Sequence, residues 1–371
     1  MITRRGFARH LGGLAATAPI WSEAFLAQRA LGDVPRNADI VRLDANENPE
    51  GPPPAAIEAI VRSAPAAGRY HFDEFAAFTE ALARSEELPP EQVLFGIGSS
   101  QVIDAAICAF TSAIRPLITA VPTFEVPIGL ARSLGRNVVQ VPLAADWAFP
   151  VKKLAEEAEK AAGGLIYLCN PNNPTSSLTA KNDIAWLVAN LPPDTVLLID
   201  EAYIHFAEPS EVEGGLQYLR QAKNVVVTRT FSKIYGLAGA RAGFGCARPD
   251  LIRTMAPFRD NVIPVLGLRA AMAALGERDT LVPRRRASLA RTRSELCAWL
   301  RQKSVRYIEP DGNFVMIDIS RDARSFGAAM FRKGVAVGRP FPPLDQMLRV
   351  TIGTDDEMAK FRDVFWQVYS A

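Results

Sequence analysis

The chain has 371 residues, 49% of them apolar and 22% charged, with a formal net charge of +2. That length allows two domains or one large one, and the dispersed, nearly balanced charge leaves no footprint for nucleic acid. Four widely spaced cysteines (Cys108, Cys169, Cys246, Cys297) and three scattered histidines (His10, His71, His205) form neither a disulfide framework nor a metal cluster, so no metal is expected.

The chain begins MITRRGFARHLGGLAATAPIW. Arg4 and Arg5 precede Phe7 and a Gly/Ala-rich run from Leu11 to Trp21, which is too short for a membrane anchor. The pattern resembles a twin-arginine signal, an address read by the export machinery. An ordinary basic amphipathic helix would look similar. Residues 1–32 are therefore set aside as a signal segment, which implies a periplasmic or secreted protein; without export the protein is cytoplasmic. Residues 33–60, with the Pro-rich NENPEGPPPAA, read as an arm that enters the smaller of two domains.

From about residue 61, strand-like and helix-like segments alternate. QVLFGIG (92–98), PLITAV (116–121), NVVQVPL (137–143), GGLIYLCN (163–170), TVLLID (195–200), NVVVTRT (224–230) and RAGFGCA (241–247) read as strands. SSQVIDAAICAFTS, PVKKLAEEAEKAA and KNDIAWLVANL read as helices between them. The fold class is α/β, a mostly parallel mixed sheet flanked by helices over residues 61–262. After that the texture changes. Residues 282–303 read as a long helix with a solvated basic face; NFVMIDI, a helix near 323–333, MLRVTIG and a last helix complete a smaller α+β domain over 263–371.

Polar residues gather where strands end, which is where open α/β sheets bind ligands. In FGIGSSQ, the free N–H groups of Ser99 and Ser100 at a helix start suit a phosphate, although a serine cap alone would give the same pattern. Gln101 stands where a dinucleotide fingerprint needs its third glycine, which disfavours NAD. CNPNNPTS holds Asn173 in a rigid loop as an amide donor. Asp200 ends an apolar strand and needs a cation there, with Tyr203 close in sequence; a helix-capping aspartate is the alternative. TRTFSKIYGLAGARAGFG sets Lys233 in a small, apolar loop, where desolvation lowers an amine pKa and makes it a nucleophile toward aldehydes. Thr230, Ser232 and Arg241 add hydroxyls and a guanidinium for phosphate. Arg349, on LRVTIGT, would be buried without an anion and suits a substrate carboxylate, or an internal salt bridge. Together these groups ask for a phosphorylated aldehyde with a protonatable ring nitrogen: pyridoxal 5′-phosphate.

The order LDANENPEGPP, GIGSSQVI, PTFEVP, CNPNNPT, LIDEAYIHF, TFSKIYGLAGARAGF and LRVTIGT resembles fold-type I pyridoxal-phosphate aminotransferases of the histidinol-phosphate branch. The resemblance implies that Lys233 takes the cofactor aldehyde covalently and later shuttles a proton. It implies that Asp200 keeps the pyridine nitrogen protonated, that Asn173 and Tyr203 bond the phenolic oxygen, and that Phe124 stacks on the ring. Ser99, Ser100, Thr230, Ser232 and Arg241 would surround the phosphate, and Tyr70 would reach it from the neighbouring subunit of a homodimer. Arg349, with Asn48 and Arg339, would bind substrate: an amino acid and a 2-oxo acid, with histidinol phosphate or an aromatic-like donor expected. Ser100 and Gln101 replace the usual acidic pair, Ser176 the usual glycine, and Arg339 lies closer than usual to Arg349. A decarboxylase of the threonine-phosphate type and an inactive cofactor or amino-acid binding protein are the rival readings.

Overall fold

The computed structural model describes residues 40–221, 223–259 and 262–371. Twelve strands in three sheets are found among them. In chain order they are β1 (Val41–Leu43), β2 (Val93–Gly96), β3 (Leu117–Val121), β4 (Val138–Pro142), β5 (Gly164–Cys169) and β6 (Thr195–Asp200). Then come β7 (Val225–Thr230), β8 (Gly243–Ala247), β9 (Tyr307–Ile308), β10 (Phe314–Asp318), β11 (Val335–Val337) and β12 (Met347–Thr351).

The large sheet has the order β2-β8-β7-β6-β5-β3-β4. Its central strands β5, β6 and β7 are buried along their whole length, as continuous apolar runs covered on both faces require. All its pairings are parallel except those of β8, which runs antiparallel between β2 and β7. The RAGFGCA stretch is thus a strand of opposite direction, and it returns the chain across the sheet.

Register aligns the strand ends that matter. Cys169 pairs with Asp200, and Asp200 with Thr228. The loops after β5, β6 and β7 therefore open at the same edge. The helix Gly98–Phe110 starts there too, two residues after β2 ends. Strand character stops at Gly96 because Gly98 takes a φ of +73° to turn the chain into the helix.

A second sheet, β12-β10-β9, is antiparallel, and β1 pairs in parallel with β11. The last helix, Asp355–Tyr369, begins with a capping box between Thr354 and Glu357, legible as TDDE in the sequence. The long helix spans Arg278–Gln302, with Pro283 inside it. Its start lies upstream of the expected 282 because a proline near the first turn removes only one helical hydrogen bond. The basic run is also not wholly a solvated face. Arg285 is buried and donates to Ile234 O at 2.9 Å and Gly51 O at 2.6 Å, which ties the lysine loop to the arm.

Candidate active site

A cavity of about 580 Å³ opens at the carboxyl edge of the large sheet. Lys233, Asp200, Asn173, Tyr203 and Phe124 line it. So do Ser99, Ser100, Thr230, Ser232 and Arg241. These ten residues come from five separate stretches of sequence, and the aligned strand ends bring them to one space.

At one end sits an anion cradle. Arg241 donates to Ala238 O at 3.0 Å and Ser232 Oγ at 3.4 Å, and Thr230 Oγ1 lies 3.0 Å from Ser232 Oγ. No carboxylate within the described residues forms an ion pair with Arg241, and burial lowers its pKa, so an anion beside it would be stabilised. The cradle is close-fitting: a side chain on Gly98 would meet the Arg241 guanidinium, and one on Gly243 would meet the Ser99 backbone nitrogen.

At the other end Asp200 is buried. Its oxygens accept from Tyr167 Oη at 2.9 Å, Thr228 Oγ1 at 3.2 Å and the Ala202 N–H at 3.2 Å. Among the described residues no side-chain cation pairs with Asp200; its partners there are neutral donors. Burial raises the Asp200 pKa, and those three hydrogen bonds oppose it. A ring N–H⁺ against this carboxylate would supply the missing positive charge. Anion cradle, lysine amine and buried carboxylate thus fit pyridoxal phosphate from end to end.

Lys233 lines the same cavity, its Nζ donating to Ala45 O at 3.3 Å and lying 5.4 Å from the centre of the Tyr203 ring. Asn173, which lines the cavity, accepts at Oδ1 from Arg349 Nη1 at 2.7 Å. Arg349 is buried on β12, also donates to Asp44 O at 2.7 Å, and lies 4.6 Å from the Phe341 ring centre.

Of the expected substrate-binding residues, Asn48, Arg339 and Arg349 do not line the cavity, and Tyr70, expected to serve the neighbouring subunit, does not line it either. Asn48 spends its carboxamide on Ile234 O (3.1 Å) and the Glu50 N–H (3.0 Å), so it braces the arm and does not line the cavity. Arg339 pairs with Glu125 at 2.7 Å and borders a separate hollow of about 240 Å³ beside the helix Ala323–Arg332. Tyr70 is 68% exposed and outside the cavity of its own chain, stacked on Phe72.

Other contributors were not singled out in the sequence. Tyr167 and Thr228 hold Asp200; a lone tyrosine in the aliphatic run LIYLC was the available signal, because a buried hydroxyl needs a partner. Behind the site, Arg229 joins Glu86 (2.6 Å) and Glu201 (2.8 Å), and Glu86 also meets Arg278 (3.1 Å). This buried network fixes the residue next to Asp200. Ser176, where a glycine is usual, has a φ of +62° and accepts from the Gly312 N–H at 2.8 Å, so its side chain repays the strained backbone with a hydrogen bond.

Asp104 also lines the cavity, with Oδ1 buried and without a hydrogen-bond partner. Burial pushes its carboxyl up to about 6 from an ordinary 3.8. The folded state therefore holds this proton more tightly than the unfolded one. The resulting stability is complete below the unfolded pKa and is lost as pH rises through the folded one. Asp104→Asn is expected to stabilise the protein at pH 8 by about 3 kcal/mol and to change little near pH 4. Thermal melts at the two pH values measure this, and equal shifts at both would contradict it.

Residues 38–365 match the family Aminotransferase class I and II, and the chain belongs to that family. It is a pyridoxal-phosphate-dependent aminotransferase. The chain is 34% identical over 326 residues to a histidinol-phosphate aminotransferase of Symbiobacterium thermophilum, covering 87% of this chain and 89% of that one. It is 34% identical over 332 residues to histidinol-phosphate aminotransferase 2 of Ralstonia nicotianae, covering 87% of each. A solved histidinol-phosphate aminotransferase from Sinorhizobium meliloti, in complex with pyridoxal-5′-phosphate, superposes with a TM-score of 0.81 at 26% identity, over 92% of this chain and 96% of that one. Aspartate aminotransferase from Thermus thermophilus shares the fold, with a TM-score of 0.81 at 21% identity over 96% and 99% of the two chains.

Proposed function

We propose that the amino donor is histidinol phosphate or an aromatic-like amino acid and that the acceptor is a 2-oxo acid, exchanged in a ping-pong sequence. The observation that carries this is Arg349, a buried guanidinium bonded to Asn173, which lines the cavity together with apolar Phe124 and Val126. One anion-binding arginine and an apolar wall suit a donor with one anionic end and a flat, weakly polar side chain. The relatives' names point to the first of these donors, histidinol phosphate.

The bound cofactor supplies an electron sink for the pair left when the donor's α-carbon loses its proton. The chain's residues do the rest. Lys233 Nζ would take that proton from the α-carbon and return it to the carbon that carried the cofactor's aldehyde. Asp200 keeps a positive charge on the ring nitrogen. The Asn173 amide and the Tyr203 hydroxyl neutralise the phenolic oxygen, and Arg349 orients the donor's acidic group. A screen of purified holoenzyme against histidinol phosphate and aromatic amino acids, with and without a 2-oxo acid, tests the reading. Turnover that needs the oxo acid supports it; carbon dioxide release without one would assign the site to decarboxylation.

Two further parts of the reading concern assembly and location. Tyr70 and Phe72 are exposed and stacked, Ile57 and Val61 on the helix Pro54–Ser63 are exposed too, and these exposed apolar side chains support a two-fold dimer in which Tyr70 serves the partner's phosphate end. The twin-arginine leader lies outside the described residues. Its Arg4-Arg5 pair supports export of the folded, cofactor-loaded protein to the periplasm. Changing both arginines to lysine is expected to leave the protein in the cytoplasmic fraction, and unchanged fractionation would refute the signal. Among the described residues no helix is long and apolar enough to cross a membrane.

A further inference from the structure

Asn46 is fully buried and sits in the left-handed region at a φ of +54°. Its backbone N–H donates to Thr351 Oγ1 at 2.9 Å. Thr351 Oγ1 in turn donates to Asn46 Oδ1 at 3.2 Å. The two bonds close a ring that fixes the direction of the carboxamide. The threonine oxygen accepts one hydrogen, so its own proton goes to Asn46 Oδ1, and the Asn46 NH₂ must face the other way. There it donates to Tyr203 Oη at 3.2 Å. The phenol oxygen is an acceptor in this contact, and its own proton is left to point elsewhere. Lys233 Nζ and the cavity lie over the Tyr203 ring.

The same short arm reaches the substrate arginine. Asp44 O accepts from Arg349, and two residues on Asn46 meets Thr351, so residues 44 and 46 bond positions 349 and 351 of one strand. Asn313 Nδ2 holds the Asn46 carbonyl from the neighbouring strand at 3.1 Å.

We infer that Asn46 is a positioning residue that sets Tyr203 as a hydrogen-bond donor to the anionic phenolic oxygen of the bound cofactor, and joins that donor to the strand carrying the substrate-binding arginine. This rests on the reading of Tyr203 given above. A donor to that oxygen favours its deprotonated form. Turning the donor away should raise the pH at which the cofactor's visible absorption band changes.

Asn46→Asp tests this, because a carboxylate can take the Thr351 and Tyr203 protons together and so pulls the phenol proton out of the cavity. The expected result is an upward shift of the spectral midpoint by about one pH unit in the holoenzyme. The other charged groups facing the cavity, Glu47, Asp104, Asp200 and Arg241, are unchanged in the variant. Tyr203→Phe should shift the midpoint the same way, and Asn46→Asp on the Tyr203→Phe background should add nothing. Additive shifts, or an unshifted Asn46→Asp midpoint, would overturn the inference, since a carboxylate acting only by its charge or by disturbing the fold would act equally without the phenol. Should Asn46→Asp not fold, Thr351→Val opens the ring from its other side and is expected to give a smaller shift of the same sign; no shift there would overturn the inference as well. A Tyr203→Phe midpoint equal to wild type would instead remove the assignment of Tyr203 itself.

Discussion

Lys233→Ala is expected to lower the turnover number by about 10⁴-fold, because it removes both the covalent attachment point and the group that moves the proton. Its amine lies in the same cavity as the Arg241 cradle and the buried Asp200 carboxylate. No other lysine lines that cavity. Single-turnover spectra with added amino donor give the rate. Borohydride reduction of the wild-type holoenzyme followed by peptide mapping should place the fixed cofactor on the peptide that contains Lys233. A Lys233→Ala protein within tenfold of wild type, or cofactor fixed on another peptide, would dismiss the assignment.

Asp200→Asn is expected to cost about 10³-fold in turnover, the scale seen when a preorganised charge at a reacting centre is lost. The amide is nearly the same shape, so the variant tests charge rather than packing. It also disturbs the hydrogen bonds, since Tyr167, Thr228 and the Ala202 N–H all donate to the carboxylate and an amide offers one acceptor atom where the acid offers two. Equilibrium dialysis should show weaker cofactor binding alongside the fall in rate. Tyr167→Phe is a useful companion: it keeps the charge and removes one donor, so it should cost far less. Equal losses in the two variants would mean that hydrogen bonding, not charge, is what Asp200 provides.

Strand ends made much of the site legible from sequence. TVLLID occupies residues 195–200 as read, because a fully buried strand must be a continuous apolar run and a carboxylate at its end cannot be incidental. Lys233, Thr230, Ser232 and Arg241 were readable for the same reason: polar groups in a small-residue loop past an apolar strand have few purposes. What could not be read is pairing across distance. Asn46 bonds Thr351, 305 positions away, and nothing local marks it above Asn48, whose side chain proves to be a brace. Arg285 looked like one more charge on a wet helix face, since the sequence does not say what packs over a helix. Arg339 was assigned by resemblance, and its pairing with Glu125 is a matter of loop placement that spacing does not encode.

The arm's bonds to β12 have a bearing on how the protein is made. Synthesis runs from the N-terminus, so the strand that Asp44 and Asn46 must grip is the last of the twelve described strands to leave the ribosome. The large sheet, with the lysine loop and phosphate cradle, is complete about a hundred residues sooner. A nascent chain can thus present a cofactor pocket before it owns the clamp for a substrate. The residues that would hold vitamin B6 are thus translated about a hundred residues before the strand that carries the substrate clamp.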